Sequence, residues 1–119
     1  MTTILIVDDS RLARNMVGSV ITSLRPDWTI VAAASGEEAL EVIGETVPVA
    51  AIVDYNMPGM DGLTLCERLK DRFLGLHIGL LTANVQDSLK MKAEALGVRF
   101  IAKPITSDKI REFLAAGGQ

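Results

Sequence analysis

Five short apolar runs, separated by longer amphipathic segments, constrain the fold of this chain more than any other feature. The runs occupy residues 3–7, 29–33, 49–53, 77–81 and 99–102. Most are apolar on consecutive rather than alternate positions, which is typical of strands that helices cover on both faces. The pattern therefore predicts five buried strands.

The segments between the runs show the three- and four-residue apolar spacing of helices. The stripe of the first helix comprises Leu12, Ala13, Met16, Val17, Val20, Ile21 and Leu24. The stripes of the third to fifth helices are Leu65, Cys66, Leu69 and Phe73; Val85, Leu89, Ala93 and Leu96; and Ile110, Phe113 and Leu114. Ser35 with Glu38 predicts a capping box for the second helix, and Ser107 is the predicted N-cap of the fifth. Strict alternation of five strand–helix units predicts an α/β fold with helices on both faces of a parallel sheet. The sequence offers no functional reason for Gly79 inside the fourth strand.

Length and composition predict one globular domain over residues 1–119, since 49% of the residues are hydrophobic and 23% are charged. The net charge of −3 provides no large basic field, so direct binding of nucleic acid is not expected. The single cysteine, Cys66, can form neither an internal disulfide nor a zinc site on its own, and its apolar neighbours favour a packing role. We see no leader-like segment and no run long enough for membrane insertion, and therefore expect a cytoplasmic protein.

Polar residues stand where the predicted strands end. They are Asp8 and Asp9 after the first run, Asp54 after the third, Thr82 after the fourth, and Lys103 with Pro104 after the fifth. In open parallel sheets, ligands bind outside the carboxyl ends of the strands, where the winding direction reverses. Three carboxylates, a hydroxyl and an ammonium group are therefore predicted to face one crevice.

The chemistry of this set points to a bound cation. Clustered carboxylates repel one another unless a counter-charge is present, and oxygen ligands completed by water suit magnesium. Taken singly, the acids after the first strand could stabilise a helix N-terminus, Asp54 could lie in an Asx turn, and Thr82 and Lys103 could be ordinary surface or strand residues. Their joint occurrence favours a functional site. The bond before Pro104 is a candidate cis peptide that would aim Lys103 into the crevice.

These residues resemble the receiver domains of two-component response regulators, specifically the single-domain chemotaxis-regulator type. The matching pieces run in order over essentially the whole chain: residues 6–10 (IVDDS), 35–40 (SGEEAL), 54–62 (DYNMPGMDG), 81–84 (LTAN) and 102–104 (AKP). The resemblance implies a flavodoxin-like, doubly wound sheet of five parallel strands in the order 2-1-3-4-5.

The resemblance also implies how a phosphoryl group and a metal ion are held. Asp54 is the expected phosphoacceptor. Asp9 and Asp54 are expected to ligate Mg²⁺ directly, Asp8 largely through water, and Asn56 through its backbone carbonyl. The side chain of Asn56 is expected to flank the approach of hydrolytic water.

Further positions are implied to bind the phosphoryl group or to respond to it. Thr82, Ala83 and Lys103 are expected to contact the phosphoryl oxygens, and Asn84 to flank the water approach from the other side. Thr82 and Phe100 form the expected switch pair, although core packing alone would also account for Phe100.

The implied function is a phosphorylation-activated signalling switch. A sensor histidine kinase or a phosphotransfer protein would supply the phosphoryl group, and a downstream protein would bind the face formed by the fourth helix, the fifth strand and the fifth helix. Candidate residues on that face are Lys90, Lys92, Asp108, Arg111 and Glu112. We expect no effector domain, no catalysis beyond the domain's own phosphorylation and dephosphorylation, and a monomer or a weak phosphorylation-dependent dimer.

Other functions are weighed against this one. A Mg²⁺-dependent phosphohydrolase of the haloacid dehalogenase type carries a second aspartate two residues after its nucleophile, where this chain has Asn56. A phosphorylation-independent binding module would not need the complete set of strand-end residues. A flavodoxin-like cofactor binder is disfavoured, since the first loop lacks a glycine-rich turn that could cradle a phosphate.

Overall fold

The computed structural model describes residues 2–117, in which five strands alternate with five helices. Residues 1, 118 and 119 of the predicted domain lie outside this range. The strands are β1 (Thr3–Val7), β2 (Thr29–Ala33), β3 (Ala50–Asp54), β4 (His77–Thr82) and β5 (Arg99–Ala102). The helices are α1 (Arg11–Leu24), α2 (Gly36–Ile43), α3 (Gly62–Arg72), α4 (Asp87–Ala95) and α5 (Ser107–Ala116). Neighbouring strands are parallel and lie in the order β2-β1-β3-β4-β5, which confirms the predicted fold and strand order.

The winding direction of the chain reverses between β1 and β3. From β1 the chain passes to β2 on one side and then crosses to β3 on the other side. The parallel register aligns Val7 with Val53. Asp8 and Asp54, one residue further along, therefore stand side by side at the reversal, which is where open α/β sheets bind ligands.

Helices cover both faces of the sheet, which explains the consecutive apolar residues of the strands. Successive side chains of a strand point to opposite faces. Ile6 and Ile52 join the apolar cluster formed with α1 and α5, whereas Val7 and Val53 join the cluster formed with α2, α3 and α4. Every position of β1 and β3 is therefore buried.

The same alternation sorts the strand-end residues between the two faces. The residues two positions before Asp8, Asp54 and Lys103 are all buried against α1 and α5. Side chains two positions apart in a strand point to the same face of the sheet. The residue two positions before Thr82 is buried against α2, α3 and α4. Phe100 packs against the same apolar cluster as that residue. The acids and the lysine thus share one side of the sheet edge, while the expected switch pair lies toward the other.

The caps of two helices test the sequence-based predictions for helix starts. Ser35 caps α2 as predicted, because its hydroxyl accepts a hydrogen bond from the Glu38 amide at 3.1 Å. The prediction for α5 was wrong: the N-cap is Thr106, whose hydroxyl accepts from the Lys109 amide at 3.2 Å. Thr106 has the extended backbone that an N-cap requires (φ −136°, ψ 160°), whereas Ser107 already lies in the first turn.

Two predicted apolar stripes are only partly buried. In α1, Val17 and Ile21 are buried, but Leu12 and Met16 are 69% and 48% exposed. Val85, expected on the fourth helix, precedes α4 and is exposed. Apolar spacing overstates burial here because a helix packed on one side buries only part of the arc that its apolar residues span.

No helix within residues 2–117 is both long and apolar enough to cross a lipid bilayer.

The glycine in β4 is required by the packing of α5. A Cβ atom at Gly79 would lie 2.6 Å from Ile101 Cδ1 and 2.9 Å from Phe113 Cε1. Both distances are shorter than van der Waals contact. Gly79 therefore allows the fully buried ring of Phe113 to pack directly against the β4 backbone.

Replacing Gly79 with alanine is expected to lower the free energy of unfolding by about 1–3 kcal/mol, because the added methyl group overpacks a filled core. Urea denaturation measures this as a lower midpoint at an unchanged slope. The matched control is Gly18→Ala in α1, where the new Cβ would meet Ile30 at an ordinary 3.8 Å and alanine favours the helix. A Gly79→Ala protein with the wild-type midpoint would show that this packing account is wrong.

Candidate functional site

Three carboxylates meet at the carboxyl ends of β1 and β3. Oxygen atoms of Asp8, Asp9 and Asp54 all lie within 4.8 Å of one another. Asp8 and Asp54 are each 2% exposed, whereas Asp9 is open to solvent. The cluster thus combines two buried acids with one that faces water.

Backbone contacts from the start of α1 fix the position of Asp8. Its Oδ1 accepts a hydrogen bond from the Ser10 amide at 2.9 Å, and Ser10 is itself the N-cap of α1. Its backbone carbonyl accepts from Arg14 Nη1 at 2.7 Å, and its amide donates to the Ala33 carbonyl at 3.1 Å. Among residues 2–117, no group donates a hydrogen bond to the buried Asp8 Oδ2.

The carboxylate cluster carries more negative charge than the neighbouring residues neutralise. Burial raises the pKa of the Asp8 carboxyl, and the negative charges of Asp54 and Asp9 raise it further, against the opposing effects of the Ser10 amide and Lys103. A buried carboxylate oxygen without a partner is unfavourable unless a cation or a proton reaches it. The three carboxylates are hard oxygen donors, so they fit a divalent metal ion.

Lys103 supplies one positive charge from β5. Its Nζ lies 2.9 Å from Asp54 Oδ1, and its backbone amide donates to the Thr82 carbonyl at 2.9 Å. Burial alone would lower the pKa of Lys103, but the contact with Asp54 and the charges of Asp54, Asp8 and Asp9 outweigh it and raise that pKa. Lys103 is therefore protonated at neutral pH in this site. The Lys103–Pro104 peptide bond, the candidate from the sequence, is cis.

The remaining predicted residues lie around this centre. Thr82 is buried at the end of β4, and its hydroxyl accepts from the Asn84 amide at 2.9 Å. Ala83 is exposed next to it. Phe100 is half-buried on β5, opposite Leu80, and packs on the side of the sheet away from the acids. The structure thus brings Lys103 into contact with Asp54 of the acidic cluster, and Phe100 packs toward the other face of the sheet.

The loop from β3 to α3, in which Asn56 is exposed, depends on a glycine. The Gly62 amide donates to the Tyr55 carbonyl at 2.9 Å, and the Tyr55 amide donates to the Leu81 carbonyl at 2.8 Å. A Cβ atom at Gly62 would collide with the Asp54 carbonyl oxygen. Sequence reasoning assigned no role to Gly62 or to Arg14. The position of Gly62 directly after the helix cap Asp61 was a usable sequence signal for its role. Nothing in the sequence distinguished Arg14 from a solvated arginine.

Cys66 lies in α3, away from this chemistry. Its side chain is fully buried, and burial raises the pKa of the thiol to about 12. The thiol stays protonated at neutral pH, which supports the packing role that its neighbours predicted.

The family of the chain follows from its sequence together with this geometry. Residues 4–115 match the family model of the response regulator receiver domain. The chain belongs to that family. It is a receiver domain of two-component signalling, of the CheY-like type, and receivers of this type are signalling domains rather than classical enzymes.

Individual relatives differ in the share of their own length that the chain covers. The chain is 32% identical over 111 residues to the chemotaxis protein CheY of Bacillus subtilis, with 92% of this chain and 91% of that protein covered. It is 34% identical over 113 residues to the positive alginate biosynthesis regulatory protein of Pseudomonas aeruginosa, with 93% of this chain but 45% of that protein covered. A solved putative response regulator from Chloroflexus aurantiacus is 34% identical and superimposes with a TM-score of 0.85 over 99% of this chain and 98% of its own. The chain spans less than half the length of several curated relatives that it matches.

Proposed function

We propose that this domain is a phosphorylation-activated switch in which Asp54 accepts a phosphoryl group from a sensor histidine kinase or a phosphotransfer protein. The observation that carries the proposal is the buried Asp54 carboxylate, which is paired with Lys103 and adjoins an Asp8 oxygen that has no hydrogen-bond partner among residues 2–117. We further propose that Mg²⁺ is the cation of the site, held by Asp8, Asp9, Asp54 and the backbone carbonyl of Asn56. When bound, it would neutralise negative charge on the phosphoryl oxygens.

The chain's own residues would promote transfer mainly by position and charge. A carboxylate oxygen of Asp54 attacks phosphorus, the bond from phosphorus to the donor breaks, and the leaving group keeps the electron pair. Lys103, fixed as a cation beside Asp54, offsets the charge of the incoming group. The product is an aspartyl phosphate. Asn56 and Asn84 are neutral amides and supply no base for its hydrolysis.

We propose that Thr82 and Ala83 contact the attached phosphoryl group and that Phe100 reports its arrival. The Thr82 hydroxyl accepts from the Asn84 amide, which leaves its hydrogen free to donate to a phosphoryl oxygen. The Phe100 ring is half-buried, and Lys90 Nζ lies 5.5 Å from its centroid. A turn of the ring would therefore alter the face formed by α4, β5 and α5, which a downstream protein would bind.

Other parts of the proposal concern the extent and the setting of the domain. We propose one receiver domain over residues 1–119, supported by the family match to residues 4–115. We propose a cytoplasmic protein that is a monomer or a weak phosphorylation-dependent dimer. Receiver domains within sensor histidine kinases are among its relatives, such as the RcsC kinase of Salmonella typhi at 31% identity, which supports a kinase as the donor.

Incubation with acetyl phosphate tests this function. We expect the intact mass to increase by one phosphoryl group per chain when Mg²⁺ is present, and the rate to fall sharply when a chelator removes it. Beryllofluoride with Mg²⁺ should protect the backbone amides around Asp54 from hydrogen exchange. A chain that gains no phosphoryl group and does not respond to beryllofluoride is not a phosphorylation switch.

A further inference from the structure

One lysine of α5 binds the backbone on both sides of Lys103. Lys109 Nζ donates to the Ala102 carbonyl at 2.7 Å and to the Pro104 carbonyl at 2.8 Å. These are the carbonyls of the residues immediately before and after the lysine that pairs with Asp54. A single ammonium group therefore holds the whole turn from which Lys103 projects.

The location of Lys109 is not explained by the stability of its own helix. It is the third residue of α5, close to the N-cap Thr106. A cation in the first turn opposes the helix dipole, which favours negative charge there. Two charge-assisted hydrogen bonds to carbonyls offset this disadvantage. The Lys109 side chain thus binds the turn between β5 and α5 and does not stabilise its own helix.

The turn matters because its backbone is the starting point of the Lys103 stem, whose ammonium group lies 2.9 Å from Asp54 Oδ1. The Lys103 side chain is 36% exposed and consists of a flexible four-carbon stem, and it reaches an Asp54 carboxylate that is 3% exposed. A small displacement of the Lys103 backbone would move the ammonium group away from the reacting oxygen. Misplacement of a catalytic group by about 1 Å can cost about a hundredfold in rate.

We infer that Lys109 is a positioning residue for phosphoryl transfer: it fixes the backbone of Lys103 and thereby the approach of the Lys103 ammonium to Asp54. The inference rests on the proposed function of Asp54. Lys109 acts on the reaction through Lys103 and does not itself contact the phosphoryl group. It also ties the reacting centre to α5 directly.

Lys109→Met removes the donor and keeps the apolar stem. We expect phosphorylation by acetyl phosphate to be about tenfold slower. The affinity for Mg²⁺, measured by calorimetry, should stay at its wild-type value because the carboxylates lie at the carboxyl ends of β1 and β3. Lys109→Arg should restore much of the rate, since a guanidinium group can donate to both carbonyls. The matched control is Lys70→Met, the same substitution at a half-buried lysine in the last turn of α3, which should leave the rate unchanged.

A double-mutant cycle with Lys103→Met distinguishes positioning from a general loss of structure. If Lys109 acts through Lys103, adding Lys109→Met to the Lys103→Met protein should cause no further slowing. Independent slowing by the two substitutions, an unchanged rate in Lys109→Met, or an equal loss of Mg²⁺ affinity would each overturn the inference.

Hydrogen exchange of the Lys103 amide provides a readout that does not depend on phosphorylation. This amide donates to the Thr82 carbonyl at 2.9 Å. Its exchange should be faster in Lys109→Met and unchanged in Lys70→Met, and equal protection in all three proteins would overturn the inference. If the wild-type chain accepts no phosphoryl group, the proposed function fails, whereas this measurement still decides whether Lys109 holds the turn.

Discussion

Asp54→Asn should accept no phosphoryl group from acetyl phosphate, even at saturating Mg²⁺. An amide nitrogen carries no charge and does not act as a nucleophile, so the substitution removes the attacking oxygen pair of the carboxylate while keeping the shape of the side chain. We expect complete loss of the mass increase over a period in which the wild-type chain is fully converted.

The control for Asp54→Asn is Asp27→Asn, the same change at an exposed aspartate between α1 and β2. It should be phosphorylated at the wild-type rate. Circular dichroism should show that both variants are folded, so that loss of uptake reports chemistry. Uptake by Asp54→Asn at the wild-type rate would place the phosphoacceptor elsewhere in the chain.

Asp8→Asn should have two opposite effects, weaker metal binding and a more stable fold. We expect the affinity for Mg²⁺ to fall about tenfold to a hundredfold, since a carboxylate that orients the ligand shell is lost. The metal-free protein should gain about 1–3 kcal/mol in its free energy of unfolding. The buried Asp8 oxygen, which has no hydrogen-bond partner in the described part of the chain, is replaced by an amide that can donate to a neighbouring carboxylate.

The pH dependence of this effect has a definite sign. The pKa of Asp8 is raised in the folded state, so the folded chain holds the Asp8 proton more tightly than the unfolded chain does. Its contribution to stability is complete at low pH and is lost as the pH rises through the folded-state pKa. Urea unfolding without Mg²⁺ at pH about 4, near the ordinary pKa of an aspartate, and at about 7.5 should therefore show a larger advantage of Asp8→Asn at the higher pH. A variant that is less stable than the wild type at the higher pH, or that binds Mg²⁺ equally well, contradicts this account of the site.

The strands and the acidic centre were predictable because both leave marks on consecutive residues. A strand buried on two faces must be apolar throughout, so the run at residues 3–7 was visible, and a charged residue that ends such a run, like Asp8 or Asp54, stood out against it. The strand order, in contrast, could not be predicted from such residues. It came from resemblance to a family, because the alternation of elements does not specify which strands are neighbours.

What sequence reasoning missed depends on contacts that only the folded chain makes. Gly79 is required by the ring of Phe113, which lies far along the chain on another element. The role of Lys109 depends on the path of the turn between β5 and α5, which returns two carbonyls to its ammonium group. The cap at Thr106 was misassigned to Ser107 because adjacent hydroxyl residues are distinguished by backbone angles and not by residue type.

The burial of Cys66 makes this chain a convenient host for spectroscopic probes. Its thiol is the only one in the sequence, is fully buried, and has a pKa raised to about 12, so maleimide reagents near neutral pH should leave it untouched. A second cysteine introduced on the surface would be the sole reactive position. Dyes or spin labels can therefore be attached one at a time to follow α4 or α5, without first removing a native residue from the core.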